Sequence, residues 1–148
     1  MKKGDGMKYS FGLLKPDCLR RGIEKEILAE IEASGLKIIA IKRLRLTKKE
    51  IDVIWAPCVK EDFYEELLKF STSGDCIVFI VKGDNAINKL SNLVGHWDRR
   101  QAEKHTIRHR YGTSPMENII HSSATQGDFW KEVLLFFTKA ELNRLLIK

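Results

Sequence analysis

Apolar residues along this chain alternate with polar ones, run together, or recur every third or fourth position, and each pattern predicts a different element. Residues 8–14, KYSFGLL, read as a buried first strand. From Leu19 the apolar positions Leu19, Ile23, Ile27 and Ile31, widened by Leu28, follow helical spacing, and Gly35 is placed to stop that helix. LKIIAIKRLRL then alternates, with Leu36, Ile38, Ala40, Leu44 and Leu46 assigned to one buried face and Lys37, Arg43 and Arg45 to the other. Thr47 and Glu50 form a T-x-x-E capping box that opens a short helix ending before Pro57. A second short helix is expected over 61–70 and a turn from Ser71 to Gly74. The unbroken apolar run Cys76 to Val81 predicts a central strand. Asp84 is expected to cap a helix carrying Ala86, Ile87, Leu90, Leu93 and Val94. Residues 95–117 are polar and less regular. Residues 118–121 suit a last short strand, and 128–137 a final helix with Phe129, Val133, Phe136 and Phe137 inward.

This order, β-α-β-(α-α)-β-α-β-α, fits an α/β (α+β) fold with a ferredoxin-like βαββαβ core: a four-stranded antiparallel sheet with helices on one side. At 148 residues the chain suits one domain, with a loose lead over 1–7 and a C-terminal tail over 138–148.

Composition changes the picture in two ways. A net charge of +6 points to an anionic partner such as nucleotide phosphates, with nucleic acid as a secondary possibility. Three widely spaced cysteines, Cys18, Cys58 and Cys76, support neither a disulfide framework nor a zinc site, and free thiols suit a reducing cytoplasm. His105 and His109 are four apart, but no third metal ligand accompanies them. The apolar stretches are too short for a membrane span, so no membrane partner is expected.

The candidate chemistry gathers around NIIHSSAT, residues 118–125. An imidazole accepts a phosphoryl group only through a free lone pair, so its other nitrogen must be held by a hydrogen bond. The transferred group carries dense negative charge and needs cationic clamps. Neither a Walker A loop nor G-x-G-x-x-G occurs, so phosphates would be held by side chains such as Lys15 and Arg108.

Four segments together carry a resemblance. LLKPDCLRRG (13–22), TSGD (72–75), Thr106-Ile107-Arg108 and NIIHSS resemble, in order and at compatible spacing, the K-P-D-x-x-x-R-G, S-G, T-I-R and N-x-x-H-x-S elements of nucleoside diphosphate kinases. The resemblance covers roughly residues 8–137. It implies ping-pong transfer of a γ-phosphate from a nucleoside triphosphate to a nucleoside diphosphate through a phosphohistidine. It also implies magnesium held mainly through the nucleotide's phosphates, with no metal ligands from the protein, and a homo-oligomer. Residue by residue, it makes His121 the nucleophile, Lys15 and Arg108 phosphate contacts, and Asn118 a sugar contact. Phe63 becomes the stacking platform for any base, Ser123 the serine beside the histidine, and Glu132 the carboxylate that orients the imidazole.

The pattern also departs from the family. By ungapped counting, Ser91 occupies the place of a phosphate-binding arginine and Trp97 that of a phosphate-contacting threonine. Trp55 replaces a tyrosine near the nucleophile, and Ala124 replaces an aspartate. Arg99, Arg100 or Lys104 are expected to compensate for the lost cation. A catalytically weak or inactive module that binds nucleotide or nucleic acid therefore stands as the alternative to the enzyme.

Overall fold

The computed structural model describes residues 7–146. Four strands, β1 (Tyr9–Leu14), β2 (Lys37–Leu44), β3 (Cys76–Lys82) and β4 (Ile120–Ser122), form one sheet in the order β2-β3-β1-β4. Each paired strand runs antiparallel to its neighbour. The helices are α1 (Pro16–Arg20), α2 (Glu24–Ala33), α3 (Lys48–Ile54), α4 (Tyr64–Ser71), α5 (Ala86–Val94), α6 (Ile107–Tyr111), α7 (Gln126–Phe136) and α8 (Lys139–Leu146). The strand order is that of a ferredoxin-like fold, as the element sequence predicts.

Both faces of the sheet are covered, which corrects the expectation of helices on one side. Alternation along the two central strands explains why. Phe11, Leu13, Val78 and Ile80 pack with Ile51 and Ile54 of α3, Phe129 and Val133 of α7, and Leu142 of α8. Leu14, Ile77, Phe79 and Val81 face the other way, onto Ile27 and Ile31 of α2, Leu90 and Val94 of α5, and Ile107 of α6. Strands buried on both faces read as continuous apolar runs, as CIVFIV does. Gly12 is required where it stands, because a Cβ there would come 2.3 Å from the Phe79 ring of the paired strand.

Several boundaries differ from the pattern, each for a local reason. The helix expected from Leu19 onward is two helices, because Gly22 turns left-handed (φ 68°) between them. β2 carries a bulge: Ile38 pairs with Val81 and Ala40 with Ile80, so Ile39 is the extra residue. The bulge sends Leu36 and Ile38 to one core and Ala40, Leu44 and Leu46 to the other, so these five residues do not share a face. Asp84 does not cap α5; it pairs with Lys8 at 2.7 Å, and Asn85 (φ 54°) occupies the cap. Glu50 does accept the Thr47 N–H at 2.7 Å, as the capping box requires. Of the expected lead, Met7 is buried in the core and 1–6 lie outside the described residues. Of the expected tail, 139–146 form α8, tied down by the Tyr9 hydroxyl donating to the Leu146 carbonyl at 2.9 Å.

Candidate active site

β1 and β4 are neighbours, and Leu13 pairs with His121. The chain leaves β1 at Lys15, and Pro16 starts α1 with a backbone angle suited to a first helical turn. The entry to β4 is a tight turn in which the Ile120 N–H donates to the Asn118 carbonyl at 2.9 Å, with Ile119 between them at φ 78°. That angle is strained for a β-branched residue, costing about 1–3 kcal/mol, and persists only where the surroundings enforce it. The enforcement comes from the K-P-D segment. The Lys15 N–H donates to the Ile119 carbonyl at 2.8 Å, and the Asp17 carboxylate accepts the Ile119 N–H at 3.1 Å. Asp17→Ala leaves that buried N–H unpaired. It is expected to cost about 1–3 kcal/mol of stability and to lower activity through misplacement of His121. Urea unfolding beside steady-state rates checks both.

His121 Nε2 lies 3.0 Å from Glu132 Oε2, and the Ser123 hydroxyl donates to Glu132 Oε1 at 2.5 Å. Glu132 and Ser123 are buried, on α7 and just beyond β4. With its proton on Nε2 directed at the carboxylate, the ring keeps a free lone pair on Nδ1. The Trp55 ring stands edge-on to the imidazole, with centroids 5.5 Å apart.

Two cations complete the floor. Buried Lys15 Nζ donates to the Met116 carbonyl at 2.7 Å and to Asn118 Oδ1 at 2.8 Å. Burial, and next the charge of Arg108, lower its pKa to about 7. The Arg108 guanidinium donates to the carbonyls of Gly95 (3.1 Å) and Ile120 (2.5 Å). Its buried Nε has no partner among the described residues. Burial also lowers the Arg108 pKa, to about 10. Because the folded Lys15 pKa lies below its ordinary 10.5, the unfolded chain binds more protons between about pH 7 and 10.5. Stability from this group therefore rises with pH across that window. Lys15→Met is expected to flatten the rise, as read from urea midpoints at pH 7 and 9.

These groups open into a cavity of about 770 Å³. Its floor is Lys15, Arg108, Asn118 and His121. One wall is Trp55, Cys58, Phe63, Glu66 and Leu67; the other is Trp97 and Ser114 to Glu117. Asn118 ties this second wall down, its amide donating to the carbonyls of Trp97 (3.2 Å) and Pro115 (2.9 Å).

The sequence model for nucleoside diphosphate kinases matches residues 8–142, nearly the whole length. The chain belongs to the nucleoside diphosphate kinase family. As a member it is a phosphotransferase. It is 38% identical over 136 residues to a nucleoside diphosphate kinase of Wolbachia sp. subsp. Drosophila simulans, covering 92% of this chain and 98% of that one. It is 34% identical over 130 residues to the enzyme of Persephonella marina, covering 88% and 93%. The fold overlays that of the Encephalitozoon cuniculi enzyme (TM-score 0.87, 26% identity, 91% and 92% covered). It also overlays the enzyme of Halobacterium salinarum solved with CDP (TM-score 0.85, 30% identity, 90% of each covered).

Within this family member the structure brings together Lys15, Trp55, Phe63, Trp97, Arg108, Asn118 and His121, with Ser123 and Glu132 behind the histidine. Ser91 is not among them. It is exposed on α5 and lines a neighbouring cleft with His96 and Thr106. Nor do Arg99, Arg100 or Lys104 line the cavity, and Arg100 pairs with Asp98 at 2.9 Å. Asp17, Cys58, Glu66, Met116 and Glu117 were not singled out by pattern. Asp17 and Glu117 at least sit inside or beside the K-P-D and N-x-x-H segments. Cys58 and Glu66 carry no motif at all.

Proposed function

We propose that this chain is a nucleoside diphosphate kinase working by ping-pong transfer through phospho-His121. The observation that carries the reading is the Ser123–Glu132–His121 relay, which leaves Nδ1 free in a cavity floored by Lys15 and Arg108. The Nδ1 lone pair forms a bond to the γ-phosphorus, the bond from that phosphorus to the β-phosphate bridging oxygen breaks, and the diphosphate leaves with that electron pair. Nε2–H stays on the Glu132 side throughout, so the carboxylate stabilises the positive charge that grows on the ring. A terminal oxygen of a second nucleoside diphosphate then takes the phosphoryl group and restores the imidazole. Lys15 and Arg108 hold the equatorial oxygens. Asn118, whose amide already bonds Lys15, Trp97 and Pro115, supports the sugar side of the cavity, and the exposed ring of Phe63 stacks on the base.

Magnesium belongs to the same reading. Ser114, Ser122 and Glu117 bring side-chain oxygens to the cavity lining, and the Glu117 carboxylate also pairs with Arg20 at 3.3 Å. That sparse set would suit a magnesium ion carried mainly by phosphate oxygens and water. Bound there, magnesium neutralises charge on the phosphates. The free thiols of Cys18, Cys58 and Cys76 suit cytoplasmic residence.

The test is intact-protein mass after brief incubation with ATP and magnesium. One acid-labile phosphate, discharged by added nucleoside diphosphate, is expected. Saturable nucleotide binding with no phosphoprotein would instead make the site a binding module.

A further inference from the structure

The cavity contains one carboxylate that the transfer reaction does not use. Glu66 lies on α4, three residues after Phe63 and one before Leu67, and all three line the same wall. Phe63 is the N-cap of that helix and Glu66 its third residue, so both sit over the first turn and Glu66 stands beside the ring read as the base platform. It is exposed, and no hydrogen bond or ion pair engages it among the described residues.

Resting on the reading of Phe63 as the base platform, we infer that Glu66 reads the edge of the stacked base and makes the site prefer bases that present N–H donors, guanine foremost. An ionised carboxylate only accepts hydrogen bonds, and its two oxygens can take a pair of parallel donors. Guanine presents N1–H and an exocyclic N2 amino group side by side, which matches that pair. Adenine and cytosine present an amino group beside an acceptor and match it half as well. Uracil and thymine flank their single N–H with two carbonyl oxygens, which a carboxylate repels. Stacking on Phe63 is indifferent to these patterns because every base has a π-face. Discrimination therefore falls to the polar group next to the ring.

The experiment titrates GDP and UDP against the full chain by the fluorescence of Trp55 and Trp97, for the native protein, Glu66→Gln and Glu66→Lys. A charge-assisted hydrogen bond at a partly exposed site supports a GDP preference of about tenfold in the native protein. Glu66→Gln, whose amide both donates and accepts, is expected to bring the GDP-to-UDP affinity ratio to within about threefold of one. Glu66→Lys is expected to favour UDP. Because each variant is judged by a ratio, a general change in affinity does not disturb the result. A native ratio near one, or an unchanged ratio in both variants, overturns the role of Glu66 and leaves the nucleotide site standing. Failure of both nucleotides to saturate the native protein overturns the nucleotide site and this inference together.

Discussion

His121→Ala is expected to lower phosphotransfer by at least about four orders of magnitude while nucleotide binding stays within severalfold of the native value. Removing a nucleophile whose partners remain in place leaves only the positioning and charge of the site, and losses of that size follow in enzymes that work through a covalent intermediate. Binding should survive because the groups proposed to hold the nucleotide are elsewhere. Lys15 is anchored by Met116 and Asn118, Arg108 by Gly95 and Ile120, and Phe63 is the N-cap of α4. The same variant must show no phosphoprotein in the intact-mass assay. Turnover in His121→Ala within tenfold of native would move the nucleophile elsewhere and sink the ping-pong scheme. Glu132 is buried, and in the variant it would lose its imidazole partner but keep Ser123, so the fold should hold.

Much of this site is legible in the sequence because its residues occur in short segments that the fold brings together without distortion. K-P-D ends β1, and N-x-x-H enters β4, and the two strands pair directly. What spacing alone does not show is the work done between them. Asp17 lies inside a recognised segment, yet its carboxylate acts on the backbone of Ile119, a contact across 102 positions that no local pattern encodes. Ser91 misled for a related reason. Ungapped counting placed it among phosphate contacts, but its position on α5 points it into a different cleft. The fold shows the same division. Runs such as CIVFIV fix a central strand whatever surrounds it, whereas the β2 bulge arises from pairing with β3 and reverses two residues that looked in phase. α8 escapes the pattern because Leu142, Leu145 and Leu146 acquire a buried side only against the core on the sheet, where Lys42 holds Glu141 and Tyr9 holds Leu146.

The absence of Arg99, Arg100 and Lys104 from the lining leaves the cavity two cations, Lys15 and Arg108, and this sharpens the expectation for Arg108. In a site with several clamps the loss of one is shared. Here Arg108→Ala removes the one cation of the pair that stays fully charged at neutral pH. Losing one preorganised donor to a developing anion costs about a hundredfold to a thousandfold in kcat, and Arg108 belongs at the upper end. The substitution has a structural side as well, because the Gly95 and Ile120 carbonyls lose their donors, and Ile120 precedes His121. Arg108→Lys separates the two effects. It restores a charge but, as a single ammonium, cannot span both carbonyls and still face a phosphate. It should therefore recover binding more than kcat. Lys15 adds a check through pH. With Arg108 gone, the second largest cause of the low Lys15 pKa disappears, so that pKa should rise from about 7. The decline of nucleotide affinity on the alkaline side should then move to higher pH in Arg108→Ala. An unmoved profile would mean that the two cations do not share one site.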